Sequence, residues 1–160
     1  MKNLVLIKKY ALNYLSKYDS SKYNLERVLH NKIRRISSNK KEKFILYNAI
    51  PSFLLELESK KIINDKNYTN TKLKNFSTQG KSKNFIKSYL IHKGIEKKLI
   101  DEIFHSFELN NVDWELESAK IFARKKRLGI KNTDNKEKDL AKMARAGFDY
   151  NISKKTLGLD

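Results

Sequence analysis

The sequence predicts an all-α protein made of three tandem three-helix modules stacked into an elongated, curved array. Three observations carry that prediction. Apolar residues recur at three- and four-residue steps along nearly the whole chain, with no alternating β pattern of useful length. Residues 84–104, NFIKSYLIHKGIEKKLIDEIF, return in weaker form at 136–157, where Met143, Gly147, Phe148, Ile152 and Leu157 fall where Leu90, Gly94, Ile95, Leu99 and Phe104 fall in the first copy. The apolar fraction is 39% and the charged fraction 33%, which suits thin helical layers that share a core better than one thick core.

The first helix presents Ile7, Ala11, Tyr14, Leu15 and Tyr18 on one face. Asp19-Ser20-Ser21 stops it and offers side-chain oxygens to cap a second helix carrying Leu25, Val28, Leu29 and Ile33. Residues 34–43, RRISSNKKEK, have no apolar stripe and read as a loop or frayed helix end, a basic surplus segment starting at about Ile33. Phe44, Leu46, Ile50, Phe53, Leu54, Leu57 and Ile62 are the next core candidates. Pro51, the only proline, is expected to begin a helix over 51–61, since proline suits a first helical turn.

Asn64-Asp65 caps the next helix, with Tyr68, Leu73 and Phe76 on its face, and Ser77–Lys83 forms a loop around Gly80. The 84–104 stretch then gives two helices broken at Gly94, with Ile95, Leu99, Ile100, Ile103 and Phe104 as the apolar face of the second. Asp113 can cap a helix bearing Trp114, Ala119, Phe122 and Ala123. Gly129–Asn135 links to the last copy, where Asp134 and Glu137 have capping-box spacing. About nine helices result, in groups of one long helix and two shorter ones, with modules at 1–63, 64–109 and 110–160.

Composition excludes several functions. No cysteine means no disulfide, thiolate zinc site or cysteine nucleophile. No apolar run is long enough to cross a membrane. The basic, apolar start is interrupted by Lys8 and Lys9 and lacks a small-residue cleavage site, so it reads as a helix of a cytoplasmic protein rather than a signal peptide. His30, His92 and His105 lack metal-ligand spacing, and Asp101 and Glu102, as adjacent residues, face different sides of a helix. Glu56 and Glu58 fail the same test, and no glycine-rich phosphate loop exists. The sequence therefore predicts a non-enzyme without metal or cofactor.

The net charge of +17 points to nucleic acid or an acidic partner. Of the 35 basic residues only six are Arg, which argues against base-specific readout and for phosphate or acidic-surface attraction. The abundance of Lys, Asn and Ile is also the composition expected of an A+T-rich coding sequence, so part of the charge is compositional.

Ala11-Leu12, Leu15, Ser21, Leu25 and Leu29 resemble the opening module of the RecX family, regulators of the RecA recombinase. Ile62-Ile63-Asn64-Asp65 with Tyr68 resembles the family's apolar-apolar-x-Asp turn and following aromatic, and Leu90-Ile91-His92-Lys93-Gly94-Ile95 its Leu-x-x-Lys-Gly-Ile signature. Ala119, Ala123-Arg124-Lys125-Lys126 and Gly147-Phe148 sit where the last module has similar residues. Two positions depart from the pattern: Asn24 stands where a capping Glu is common, and Lys61 where a Gly is common. The resemblance implies a monomeric, non-enzymatic protein that binds the groove of the RecA–DNA filament. There it modulates ATP hydrolysis and strand exchange, usually downward, in recombination, DNA repair and the SOS response. Exposed basic residues are the expected contacts: Arg34, Arg35, Lys40 and Lys41, and Arg124, Lys125, Lys126 and Arg127. The residues alone also fit a general basic nucleic-acid-binding helical protein, or a structural adaptor with no nucleic-acid role.

Overall fold

The computed structural model describes residues 2–129 and 135–159. These contain nine α-helices and no strand: α1 (Lys2–Leu15), α2 (Lys22–Ile36), α3 (Lys40–Ser59), α4 (Asp65–Thr78), α5 (Lys83–His92), α6 (Lys97–Asn110), α7 (Trp114–Lys126), α8 (Lys136–Arg145) and α9 (Tyr150–Leu157). The all-α class is as the periodicity predicts. The expected pattern of one long and two shorter helices holds only for α7–α9, because α3, at 20 residues, is the longest helix of all.

The chain divides into two compact units, Met1–Tyr68 with Lys93–Ile95, and Thr69–His92 with Glu96–Asp160. In the first, α1, α2 and α3 pack on one another around Ile7, Leu25, Leu29, Ile33, Ile50 and Leu54, all essentially inaccessible to solvent. Burying each such side chain stabilises the fold by about 1.5–3 kcal/mol. In the second unit α5 packs on α6, and α7 and α8 pack on α9. Leu73, Ile86, Leu90, Ile100, Ile103 and Phe104 are buried there, with Trp114 against the rings of Phe104 and Phe107. Ala119, Ala123, Leu128, Met143 and Phe148 form a further core cluster, so Met143 and Phe148 are buried as their counterparts Leu90 and Ile95 are.

Several expectations are corrected. Residues 34–43 are not a loop: α2 runs to Ile36 and α3 starts at Lys40, leaving only 37–39 outside helix. Arg and Lys are good helix formers, so a charged stretch without an apolar stripe still continues a helix already anchored by Ile33. Pro51 does not begin a helix but lies inside α3. Its missing N–H leaves the Tyr47 carbonyl without a helical donor, at about 3 kcal/mol. Pro51 faces solvent, and the buried Ile50, Phe53, Leu54 and Leu57 around it offset that cost. Phe44, Ile62 and Tyr18 are exposed rather than core. Asp113 occupies the N-cap position of α7 but makes no capping hydrogen bond. Asn64 does cap α4, its Oδ1 accepting from the Asn67 N–H at 3.0 Å. Asn135 holds the N-cap position of α8, and Asp134 lies outside the described residues.

One local device is built twice, once within each unit. In the first, Ser21 at the N-cap of α2 accepts from the Asn24 N–H and donates its hydroxyl to the Lys93 carbonyl. The Lys22 N–H donates to Asp65 Oδ1 at 2.8 Å, and Gly94, at φ +74°, lies so close to Tyr23 that a Cβ would overlap its side chain. In the second unit Ser82 accepts from the Phe85 N–H and donates to the Ala146 carbonyl at 2.7 Å. The Lys83 N–H donates to Glu115 Oε1 at 2.8 Å, and a Cβ on Gly147, at φ +92°, would strike Ser82 Oγ. Each joint thus unites a serine cap, the next residue's N–H, a carboxylate from the first turn of another helix, and a glycine turn. It satisfies the orphan donors that every helix N-terminus leaves. Burial raises the Glu115 carboxyl above its usual range despite the Lys83 hydrogen bond.

The two departures from the family pattern have different fates. Asn24 is buried, donates to Ser20 Oγ at 2.9 Å and accepts from Lys93 Nζ at 3.2 Å, so it serves the joint rather than a capping box. Lys61 takes φ +56°, the left-handed region where glycine costs least.

Candidate partner-binding surfaces

In the first unit, the ends of α2 and α3 bring Arg34, Arg35, Lys40 and Lys41 together around a three-residue turn. All four are exposed. Hydrogen bonds set the turn: the Ser37 N–H returns to the Ile33 carbonyl, and Asn39 Oδ1 accepts from the Lys41 and Glu42 N–H groups at 2.9 and 3.1 Å. Glu42 accepts from the Ser37 hydroxyl and from Asn3 Nδ2, and these two bonds, Ser37's first, hold its carboxyl below the usual range. The one acidic side chain of the segment is therefore engaged inside the turn. Among the described residues no carboxylate lies within ion-pair distance of Arg34, Arg35, Lys40, Lys41 or Lys43.

The helix dipoles sharpen the contrast. Arg34 and Arg35, in the last turn of α2, complement its negative end. Lys40 and Lys41, in the first turn of α3, face a positive end, where a cation is unfavourable by about 0.3–1 kcal/mol. Lysines held where they weaken the helix, with the one neighbouring carboxylate, Glu42, bound to Ser37 and Asn3, are suited to meet an anion from outside.

In the second unit, Arg124, Lys125 and Lys126 form the last turn of α7, and Arg127 follows as its C-cap at φ 54°, ψ 45°. All four are exposed, and Lys125 Nζ is tethered to the Gln79 carbonyl at 2.9 Å. An arginine in the left-handed region costs about 1–2 kcal/mol relative to glycine. That cost is retained at an exposed cation.

Among the described residues no group of three or more His, Asp or Glu side chains is placed to hold a metal ion. Asp101 is bound to Lys87 Nζ at 2.7 Å, which lowers its carboxyl, and Glu56 pairs with Lys60 and Lys8. Among the described residues no helix is long and apolar enough to cross a membrane. Sequence reasoning missed the exposed Phe44 and Ile45 beside the first basic cluster: an apolar residue at helical spacing reads as core until the partner face is seen to be solvent.

No family model matches the chain. A regulatory protein RecX from Myxococcus xanthus (strain DK1622) is 30% identical over 154 residues, spanning 92% of this chain and 81% of that protein. A regulatory protein RecX from Streptococcus agalactiae (serotype III, strain NEM316) is 30% identical over 106 residues, of which the match spans 65% of this chain and 40% of the relative. In fold, the crystal structure of RecX from Lactobacillus salivarius superposes with a TM-score of 0.70 at 23% identity over 99% of both chains. A second crystal structure, of a regulatory protein RecX, gives 0.67 at 19% identity over 98% of this chain and 72% of the other. The Myxococcus match runs through both units and their joints at near-full length, and on that ground the chain belongs to the RecX family of regulatory proteins.

Proposed function

We propose that this chain regulates the RecA recombinase by binding the groove of the RecA–DNA filament, lowering ATP hydrolysis and strand exchange during recombinational repair and the SOS response. The observation that carries the reading is the near-full-length identity to a regulatory protein RecX. The exposed cations at the α2–α3 turn and the end of α7 support it, since a filament offers acidic protein surface and DNA phosphates. Arg34, Arg35, Lys40 and Lys41, with Arg124, Lys125, Lys126 and Arg127, are the proposed contacts. The protein acts without catalysis, as a cytoplasmic monomer, and touches DNA through phosphates. The twice-built serine–carboxylate–glycine joint supports a division into three modules at 1–63, 64–109 and 110–160.

The test is RecA's DNA-dependent ATPase with substoichiometric amounts of this protein. Inhibition supports the reading. An unchanged ATPase, with DNA binding that vanishes in moderate salt, replaces it with a general nucleic-acid-binding protein. Binding to neither RecA nor DNA at physiological salt leaves a structural adaptor.

A further inference from the structure

The outer face of α3 is apolar where its sequence position gives it no core to join. Phe44 is 67% exposed, Ile45 65% and Leu55 58%. Phe44, Asn48, Pro51 and Leu55 are all exposed and follow one another at steps of four, three and four residues, which is a single stripe along the helix. At 1.5 Å per residue the stripe is about 16 Å long, or three helical turns. Beside its N-terminal end, Ile45 borders a pocket of about 260 Å³ formed with Leu4, Asn39, Lys41 and Glu42. Lys40, Lys41 and Lys43 sit at the same end, Arg34 and Arg35 lie across the turn, and Glu42 is already bound to Ser37 and Asn3.

We propose that this face docks an acidic, amphipathic helical segment of a protein partner, with apolar anchors laid along the Phe44–Leu55 stripe and into the Ile45 pocket, and carboxylates against the free cations. Charge selects the partner: five unpaired cations flank the stripe. Shape selects a helix, since the stripe's apolar residues, Phe44, Pro51 and Leu55, stand at i, i+7 and i+11, a spacing that the apolar face of an amphipathic helix repeats. A nucleic-acid backbone satisfies the cations but has nothing for Ile45 and Leu55, which are aliphatic and provide no stacking plane. The inference rests on the reading above that the chain acts on a protein, but not on that protein being RecA.

Fluorescence anisotropy of the full chain tests it. The probe is a labelled peptide of about 18 residues with leucines at i, i+3, i+7 and i+11 and Glu or Asp between them. Binding in the micromolar range is expected at low salt. Phe44→Ser with Ile45→Ser weakens it about tenfold or more, as does Leu55→Ser alone to a smaller degree. Lys40→Glu with Lys41→Glu also weakens it and flattens its salt dependence. A peptide of the same composition with scattered leucines binds at least tenfold more weakly. All substituted residues are exposed, and unchanged melting confirms that the variants fold. Absence of peptide binding overturns the proposal, as does equal binding of the scattered peptide, which shows attraction by charge alone. Loss of single-stranded oligothymidylate binding in the Phe44→Ser, Ile45→Ser variant also overturns it, in favour of a base-stacking face. A RecA ATPase indifferent to the wild-type protein defeats the RecA reading and leaves the peptide result standing.

Discussion

The two ends of α2 set a folding joint against the proposed contact surface. At its N-terminus the joint's polar groups have partners inside the protein: Ser21, Asn24 and the Lys22 N–H are bound to the Lys93 carbonyl, Ser20 and Asp65, and Gly94 closes against Tyr23. At its C-terminus Arg34 and Arg35 face solvent across the turn from Lys40 and Lys41, and the segment's one carboxylate, Glu42, is occupied within the turn. Strain follows the same division. The joints place glycine at positive φ, whereas the α7 end keeps Arg127 there. A joint is built for burial, whereas the proposed contact surface carries backbone and dipole costs at exposed side chains. Substitutions at the two kinds of site should therefore separate stability from regulation.

The largest effect on stability is expected at Gly94. Gly94→Ala forces a side chain into left-handed backbone and against Tyr23, costing about 2–5 kcal/mol by urea unfolding. Gly94→Ala with Tyr23→Gly should recover the part due to overlap, since the Tyr23 Cβ is itself in the way; an additive pair of losses breaks the claim that the two residues are in contact. Ser21→Ala follows, at about 1–3 kcal/mol, because it strips the buried joint of a donor and a cap at once. Arg127→Gly reverses the sign: relief of the left-handed backbone raises stability by about 1 kcal/mol, while inhibition of RecA weakens. An Arg127→Gly variant that is both more stable and fully active removes Arg127 from the contact surface.

The smallest effect is at Glu42 and depends on pH. Its folded-state carboxyl lies below the ordinary 4.5, so its contribution is present above that value and is lost as pH falls through the lowered one. Glu42→Gln should therefore melt slightly below wild type at neutral pH, with the gap closing as the pH falls through the lowered value. A gap that persists in acid shows that the turn is held without the charged carboxylate.

Much of this was legible in the sequence, because helical spacing records burial directly. Leu25, Leu29 and Ile33 on α2, Leu90, and the Gly94–Gly147 correspondence all follow from period and repeat. The joints were only half legible. Their glycines stand out, but Lys22 and Asp65, or Lys83 and Glu115, are paired across tens of residues by single hydrogen bonds that leave no periodic trace. Pro51 and Phe44 misled for one reason. A lone residue states its local preference, and the face on which it lies is set by the anchors around it: Leu46, Ile50 and Phe53 turn Phe44 and Pro51 outward. The basic clusters were named from charge, but that Glu42 is engaged within the turn while the cations remain open is a matter of geometry alone.

The most direct test of the division of labour is the variant Arg34→Glu, Arg35→Glu, Lys40→Glu, Lys41→Glu, assayed for thermal unfolding and for inhibition of RecA's DNA-dependent ATPase in the same preparation. The predicted result is a melting temperature close to wild type with inhibition largely lost, since the substituted side chains have no ion pair to break among the described residues. Undiminished inhibition by a normally folded variant would contradict the account.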